Sequence, residues 1–286
     1  MVLLVRDDDR RSAVPTVPLA EVPTIAARLS DLGVPAVKLF ASGSRDPRGS
    51  GGARPDSLMA RAIEQIKATA PDLEVMTETC LCSYTETGDC HLIDDTGAPD
   101  ESATIDALAA HAVAQANAGA DTVGPAAMIR GSVLAVRAAL DGEGHKEVRI
   151  MPHVIMRSAL YEGYRRAMDA APASGERPYQ VAVDRPDEAV SRALGFVAEG
   201  ASHLLLEPAL MTCDILVTLT KMTAAPMLPF SVSGEYNALP LSLQIEAFTT
   251  LRRAGADRII TYAAMELAQI LTSSHRPDTK RNALPL

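Results

Sequence analysis

Three of the four cysteines of this 286-residue chain fall within the stretch ETCLCSYTETGDCHL, which runs from Glu78 to Leu92. Cys80, Cys82 and Cys90 have the spacing C-x-C-x7-C, which differs from the paired C-x2-C units of structural zinc ribbons. Three thiolates can hold Zn²⁺ at Zn–S distances of about 2.3 Å and leave the fourth coordination position open, as catalytic zinc sites do. The pattern therefore predicts a zinc site with an open position. The alternatives are three buried free cysteines or an adventitious disulfide.

Two further residues bear on this prediction. His91 is the direct neighbour of Cys90, and simultaneous ligation by adjacent residues is awkward, so we do not favour it as a fourth ligand. Cys213 stands alone on a predicted helix and is expected to be a core residue.

Charge and hydropathy limit the partners of the protein. The net charge is −9 and the pI about 5.2, whereas binding to a nucleic-acid backbone needs a basic surface. No apolar run approaches the roughly 18 residues of a membrane span, and the N-terminus turns acidic too early for a secretory signal. We expect a cytoplasmic protein with no nucleic-acid or membrane partner. In a reducing compartment, clustered cysteines bind metal or catalyse more often than they form disulfides.

Short apolar runs alternate with helical patterns along the whole chain, which is typical of an α/β fold with strands buried on both faces. The predicted strands are Val2–Val5, Ala36–Phe40, Leu73–Thr79, Asp121–Ala126, Val148–Ile155, His203–Ala209, Met227–Ser233 and Arg258–Ala264. The predicted helices are Leu19–Gly33, Ser57–Ala70, Thr104–Gly119, Gly131–Gly142, Arg157–Ala171, Pro186–Gly200, Met211–Ala224 and Pro240–Gly255.

Eight strand–helix repeats predict a single (β/α)8 TIM barrel that occupies residues 1–271, followed by a loose C-terminal tail over 272–286. An open doubly wound sheet is the runner-up, but no G-x-G-x-x-G follows the first strand. Barrel enzymes place their chemistry at the carboxyl ends of the strands, where the cysteine stretch begins. The long polar loops 42–57 and 169–187 are candidate lids over that face.

Seven motifs follow one another along the chain: AIEQIKATAPDLEVMTETCLCSYTETGDC, AGADTVGPAAMIRG, ALYEGYRRA, GERPYQV, EPALMTCDIL, SVSGEYNAL and AGADRIITYAAMELA. Taken in order, they resemble the porphobilinogen synthase (δ-aminolevulinate dehydratase) family in its zinc-binding form. The resemblance covers roughly residues 34–271, and the three cysteines match with identical spacing. The resemblance implies a (β/α)8 barrel, a zinc ion on the three cysteines, and condensation of two molecules of 5-aminolevulinate into a pyrrole.

The chain departs from the family at two positions that carry its chemistry. Family members hold both substrates as Schiff bases on two lysines at the ends of successive strands, and these positions correspond to Met156 and Glu207 here. Neither side chain can form an imine, which requires an amine nucleophile. Met156 is therefore expected to contact the substrate without covalent attachment. His153, in IMPHVIM, is either a hydrogen-bonded core residue or part of the same pocket.

The residues that bind carboxylates in the family are retained. The resemblance assigns one substrate carboxylate to Arg166, Arg177 and Gln180, and the other to Ser233 and Tyr262. Arginine suits this role because its planar guanidinium can donate two parallel hydrogen bonds to a carboxylate. The alternative is that these residues are surface arginines and buried hydroxyls with no ligand.

Of the five lysines, Lys38 is the one that falls on a predicted strand, in AVKLFA. A buried lysine is costly unless it is paired or functional. Pairing with Glu78 or Glu207 across the barrel is the favoured explanation, and a Schiff base on Lys38 is the alternative.

These residues predict a zinc-dependent lyase that condenses, dehydrates or cyclises small keto- or amino-acid carboxylates without the usual lysine Schiff bases. Such a divergent enzyme would suit specialised metabolism. Glu207 and Glu78 are the expected acid and base, with Tyr262 beside them, because two carboxylates near a metal can acquire different pKa values. Hydrolytic use of a zinc-bound water is a further option. The alternatives are a genuine porphobilinogen synthase of tetrapyrrole biosynthesis and an inactive carboxylate-binding homologue.

The family's long N-terminal arm has no counterpart before the first predicted strand. Because that arm ties family subunits together, we expect a homo-oligomer that is a dimer rather than an octamer.

Overall fold

A ring of short parallel strands forms the centre of the computed structural model, which describes residues 1–8, 12–172, 175 and 177–274. The strands, in chain order, are β1 Val2–Arg6, β2 Thr16–Pro18, β3 Ala36–Ala41, β4 Glu74–Thr79, β5 Leu92–Ile93, β6 Pro99–Asp100, β7 Thr122–Pro125, β8 Arg149–Ile150, β9 His153–Ile155, β10 Leu204–Glu207 and β11 Met227–Pro229. Strands β5 and β6 form a separate antiparallel pair outside the ring. Every residue of β1, β7, β9, β10 and β11 is buried, because helices cover the outside of the ring and side chains fill its interior.

Two parallel sheets make up this ring, in the orders β2-β1-β3-β4-β7-β8 and β11-β10-β9. Strands β8 and β9 are the two halves of one predicted strand and are separated by residues 151–152. The Met151 amide donates to Val123 O (2.8 Å) and the Leu205 amide donates to Pro152 O (3.1 Å). The two sheets are therefore continuous through this interruption.

The opposite side of the ring is closed by backbone hydrogen bonds of residues 260–261. The Ser231 amide donates to Ile260 O (2.8 Å), and the Val2 amide donates to Thr261 O (2.9 Å). These contacts supply the eighth strand position and join β11 to β1. The predicted (β/α)8 barrel is confirmed.

The helices surround the ring and follow the strands in alternation. They are α1 Val22–Asp31, α2 Leu58–Thr69, α3 Glu101–Asn117, α4 Ser132–Gly142, α5 Glu162–Ala167, α6 Pro186–Ala198, α7 Cys213–Met222, α8 Ser233–Ala238, α9 Leu241–Ala254 and α10 Ala264–Ser274. Helix α9 ends at Gly255, whose φ of 113° lies in the left-handed region that glycine adopts without steric cost.

Several predicted boundaries were wrong. The helix predicted over 157–171 is α5 alone, because residues 156–161 continue along the barrel edge and form a 3-10 turn. The strand predicted to end at Ser233 stops at Pro229, and Ser233 begins helix α8. Helix α10 was not among the predicted helices although AMELAQIL has a helical pattern.

Two predictions lie wholly or partly outside the described residues. The predicted C-terminal tail overlaps α10, which continues to Ser274, and the rest of that tail is not described. The candidate lid over 169–187 includes undescribed positions 173, 174 and 176. Among the described helices, none is long and apolar enough to cross a membrane.

The start of α3 offers a test of local stability. The Asp100 carboxylate accepts a hydrogen bond from the Ala103 amide (2.9 Å) and so caps the first turn. Asp100→Ala is expected to lower the free energy of unfolding by about 1 kcal/mol, because the Ala103 amide loses its hydrogen-bond partner. Urea denaturation measures the change. The matched control is Asp106→Ala at an exposed position of the same helix, and an equal loss in both variants would contradict the cap.

Candidate functional site

A cavity opens at the carboxyl ends of the barrel strands. Its wall contains the side chains of Cys80, Cys82 and Cys90 together with the carboxylates of Glu78 and Glu207. Glu78 and Cys80 stand at and just after the end of β4, and Glu207 is the last residue of β10. Parallel strands that end at the same rim bring together residues that are far apart in sequence.

The three predicted metal ligands form one cluster. The Sγ atoms of Cys80, Cys82 and Cys90 all lie within 4.8 Å of one another. A tetrahedral zinc ion with bonds of about 2.3 Å needs sulfur atoms about 3.8 Å apart, so the three thiols fit such an ion after small side-chain shifts. His91 is not part of the cluster and instead contacts the Tyr179 ring edge-on, with the ring centroids 5.7 Å apart.

Arg45 holds the cysteine loop in place from the neighbouring loop. Its guanidinium donates to Thr85 O (2.6 Å) and Cys82 O (3.1 Å) on one side and to Asp169 O (2.6 Å) on the other. The chain then reverses at Gly88, whose φ of 72° is left-handed, and returns Cys90 to the first two cysteines. The close thiol spacing is therefore fixed by the loop as well as by β4.

Arg177 lies directly against the cluster. Its Nη1 donates to the Cys90 Sγ (2.9 Å), and its Nη2 donates to Ala170 O. Hydrogen bonds from Cys80 and Cys82, together with the positive charge of Arg177, hold the pKa of Cys90 well below its usual value. Cys90 thus favours the thiolate, which is the form that binds metal, whereas hydrogen bonds within the cluster and burial raise the pKa values of Cys80 and Cys82.

Glu78 is partly buried at the edge of the cluster. Its Oε2 accepts a hydrogen bond from the Tyr164 hydroxyl (2.8 Å). Burial raises the pKa of Glu78 to about 8, and the negative charge of Cys82 adds to this effect. A carboxyl group with this pKa can either donate or accept a proton near neutral pH.

Glu207 faces the same cavity and belongs to a second polar group. Its Oε1 lies 2.8 Å from His153 Nδ1, and His153 Nε2 lies 2.9 Å from Lys38 Nζ. Burial raises the pKa of Glu207 to about 8. Lys38 does not pair directly with either carboxylate in the described chain, and it reaches Glu207 through His153, which the sequence did not predict.

Three polar atoms near or in the cavity wall have no hydrogen-bond partner within the described protein. They are Gln180 Oε1, Arg177 Nε and the Tyr262 hydroxyl oxygen. An unpaired polar atom in a buried position is costly, and such atoms in native proteins commonly mark a site for a ligand or water. The predicted carboxylate-binding residues Arg177, Gln180 and Tyr262 thus line one cavity, and each has an unpaired atom that could form a hydrogen bond with a ligand.

Other predicted residues are placed differently. The Arg166 side chain is 74% exposed beside Glu162, and the neighbouring Arg165 lines the cavity instead. Ser233 lies in the wall, but its hydroxyl already donates to Leu160 O (2.9 Å) and accepts from the Tyr164 amide (3.1 Å). Arg166 is therefore not brought together with the other predicted ligands.

Met156 and Lys38 do not line the cavity. Met156 is buried, and its amide donates to Glu207 O (2.9 Å). Lys38 lies in the barrel interior on β3, behind His153, with a side chain that is 1% exposed. Of the two positions that correspond to the family lysines, only Glu207 presents its side chain to the cavity.

Sequence reasoning missed several residues of the wall. Tyr161, Tyr164 and Arg165 all lie in the motif ALYEGYRRA, which was assigned to a plain helix. Three aromatic or cationic side chains within five residues of a chain with only 3% aromatics were the available signal. Phe40 and Phe230 complete an apolar side of the cavity.

Comparison with known proteins finds relatives over most of the length of the chain. The sequence model of the family described as delta-aminolevulinic acid dehydratase matches residues 11–270. The delta-aminolevulinic acid dehydratase of Halalkalibacterium halodurans is 35% identical over 280 residues, which cover 91% of this chain and 85% of that protein. The Bacillus subtilis protein of the same name is 33% identical over 289 residues, covering 94% and 89%.

A solved structure of the Toxoplasma gondii delta-aminolevulinic acid dehydratase (porphobilinogen synthase), in complex with the reaction product porphobilinogen, has a TM-score of 0.91 and 27% identity, and the match covers 100% of this chain and 87% of that chain. The carboxyl transferase domain of Rhizobium etli pyruvate carboxylase has a TM-score of 0.52 at 11% identity, covers 92% of this chain and 40% of that chain, and shares the fold alone. The matches confirm the resemblance seen in the sequence: the chain belongs to the delta-aminolevulinic acid dehydratase family.

Proposed function

We propose that this protein is a metal-dependent lyase that dehydrates or condenses a small keto- or amino-acid carboxylate in the cavity. The observation that carries the proposal is the juxtaposition of the cysteine cluster with three unpaired polar atoms, on Arg177, Gln180 and Tyr262, in or beside one buried wall. The curated relatives are named for 5-aminolevulinate, so this compound is the first candidate substrate and porphobilinogen the first candidate product.

Zinc is the proposed metal because three thiol ligands suit a soft or borderline cation. A zinc ion bound there would act as a Lewis acid toward a carbonyl or would lower the pKa of a bound water. Cys80, Cys82 and Cys90 would hold it, and Arg177 would balance the negative charge of the thiolates through its contact with Cys90.

The protein groups that would bind and protonate the substrate are distinct. Arg177 and Gln180 would bind a carboxylate, and the Tyr262 hydroxyl would donate a further hydrogen bond from the cavity wall. Glu207 and Glu78 would transfer protons, since burial raises the pKa of each to about 8. The apolar rings of Phe40 and Phe230 would exclude water from the reacting atoms.

A second candidate is the same class of reaction on a different carboxylate, without lysine imines. Met156 and Glu207 at the two family lysine positions favour it, because neither can attack a carbonyl as an amine. The whole-chain similarity to named dehydratases supports the first candidate more strongly. A cytoplasmic homo-oligomer, with a dimer preferred to an octamer, remains a prediction from the sequence.

The substrate proposal predicts zinc-dependent consumption of 5-aminolevulinate by the full chain, at a rate roughly tenfold or more above that of Cys82→Ala, because the variant loses a metal ligand. A dimethylaminobenzaldehyde assay for pyrroles and mass spectrometry of the products provide the measurement.

Pyrrole formation would select the first candidate. Unchanged 5-aminolevulinate, with loss of water from another member of a panel of small keto and amino acids, would select the second. No turnover and no binding of any panel member by the zinc-loaded protein would contradict the proposed activity altogether.

The metal site predicts about one zinc ion per chain in the purified protein. Cys82→Ala is expected to reduce this stoichiometry to near zero, since two thiolates remain. Cys213→Ala is the matched control, because Cys213 lies outside the cluster. Inductively coupled plasma mass spectrometry after dialysis gives the ratio, and equal zinc retention by the two variants would contradict the assignment.

Because the Tyr262 hydroxyl is unpaired, we expect its removal to affect substrate binding but not the stability of the protein. Tyr262→Phe should leave the melting temperature unchanged or slightly higher, since it removes a buried hydroxyl that has no partner. It should also weaken substrate binding by roughly tenfold, the effect of one lost hydrogen bond of about 1.4 kcal/mol. Calorimetric titration and thermal unfolding test this, and a large loss of stability with normal affinity would show that the hydroxyl has a structural role.

A further inference from the structure

Lys38, His153 and Glu207 form a continuous hydrogen-bonded chain from the barrel interior to the cavity. Lys38 Nζ lies 2.7 Å from Thr77 O and 2.9 Å from His153 Nε2, and His153 Nδ1 lies 2.8 Å from Glu207 Oε1. All three side chains are nearly inaccessible to solvent, with relative exposures of 1%, 1% and 4%. Glu207 and His153 line the cavity, whereas Lys38 does not.

The backbone leaves room for this contact at Gly124 on β7. A Cβ atom added there would lie 2.5 Å from Lys38 Nζ and 3.1 Å from His153 Nε2. Any side chain at this position would therefore separate the ammonium group from the imidazole. The Lys38–His153 contact therefore depends on glycine at position 124.

The chemistry of the three groups sets the direction of the hydrogen bonds. A lysine ammonium group can only donate, so it leaves Nε2 of a neutral His153 as the acceptor and places the ring proton on Nδ1. The Nδ1–H group then donates to the Glu207 carboxylate. The neutral imidazole of His153 thus separates the positive charge of Lys38 from the negative charge of Glu207.

We propose that Lys38 and His153 are positioning residues that set the protonation state of Glu207, so that a proton stored on Lys38 can load the cavity-facing carboxylate without exchange with solvent. The loading step moves two protons in the same direction, from Lys38 Nζ to His153 Nε2 and from His153 Nδ1 to Glu207 Oε1. The ammonium becomes a neutral amine, the carboxylate becomes a carboxylic acid, and the imidazole changes tautomer while it remains neutral.

Burial makes the charged form less favourable at both ends of this hydrogen-bonded path. It lowers the pKa of Lys38 to about 8 and raises the pKa of Glu207 to about 8. Burial, followed by the charge of Lys38, holds the pKa of His153 well below its usual value, which keeps the ring neutral.

Other ionisable groups lie close enough to Glu207 and Lys38 to affect their ionisation. Glu78, Glu235 and Cys82 add negative charge near Glu207, and Glu78 and Cys80 do so near Lys38. The phenols of Tyr161 and Tyr262 also lie close enough to Glu207 to respond to its charge. None of them interrupts the bonded path between Lys38 and the carboxylate.

This inference rests on the proposed function only in that Glu207 would serve a substrate in the cavity, and it can be tested without turnover. The zinc-loaded full chain is labelled with ¹⁵N-histidine and ¹³C-glutamate and titrated with base. Nuclear magnetic resonance reports the tautomer of His153, and infrared spectroscopy reports ionisation of Glu207. His153→Asn and Glu207→Gln variants assign the two signals.

In the wild-type protein we expect a neutral His153 with its proton mainly on Nδ1. Lys38→Met should raise the pH at which Glu207 ionises by about one unit or more, because a nearby opposite charge is removed. Lys38→Arg keeps a charge that cannot be given up, so Glu207 should ionise at a lower pH than in the wild type.

A doubly protonated His153 in the wild type, or Glu207 ionisation that differs by less than about 0.3 units between wild type and a folded Lys38→Met, would overturn the proposal. If Lys38→Met does not fold, the wild-type tautomer and Lys38→Arg decide. If Glu207 ionisation shifts in the variants but the protein converts no substrate, the proposed function is wrong and the role of Lys38 and His153 stands. If the protein converts substrate but Glu207 ionisation does not shift, the role of Lys38 and His153 is wrong and the proposed function stands.

Discussion

The arrangement of the site depends on the cost of burying ionisable groups inside a closed ring of strands. Glu207, His153 and Lys38 are almost inaccessible to solvent and Glu78 is partly buried beside them, and a buried charge on any of these groups alone would be strongly unfavourable. They are accommodated because Glu207, His153 and Lys38 bond to one another and Glu78 bonds to Tyr164. The same burial moves the pKa values of both carboxyl groups and of Lys38 to about 8, where they can exchange protons.

The cysteine cluster adds a second constraint, since three sulfur atoms within 4.8 Å of one another concentrate negative charge when they ionise. Arg177 lies against Cys90 and supplies the balancing charge. It also has an Nε without a partner in the described protein and lines the same cavity as Gln180, so one guanidinium borders both the metal site and the proposed carboxylate site. A substrate bound there would have its carboxylate and its reacting carbonyl fixed relative to each other, which is how enclosed sites lower the entropic part of a reaction barrier.

The sequence was sufficient for the barrel and for the cysteine cluster because both depend on local patterns. Alternation of buried strands with helices predicts the ring, and C-x-C-x7-C after a strand predicts three thiols on one loop. The contact from Lys38 through His153 to Glu207 depends instead on three strands that meet only in the folded barrel, and on the space at Gly124. The sequence predicted Arg166 in the site, whereas Arg165 lines the cavity, for a similar reason. The direction of each side chain depends on where the short helix α5 begins and how it packs, and sequence spacing does not determine that.

The central claim is that the cavity binds a metal on three cysteines and a small carboxylate beside it. X-ray diffraction at the zinc absorption edge, from crystals soaked with zinc and 5-aminolevulinate, tests both halves together. The account predicts one anomalous peak between the Sγ atoms of Cys80, Cys82 and Cys90, and a ligand whose carboxylate bonds to Arg177 and Gln180 or to the Tyr262 hydroxyl. Zinc bound elsewhere, or a ligand outside this cavity, would contradict the account.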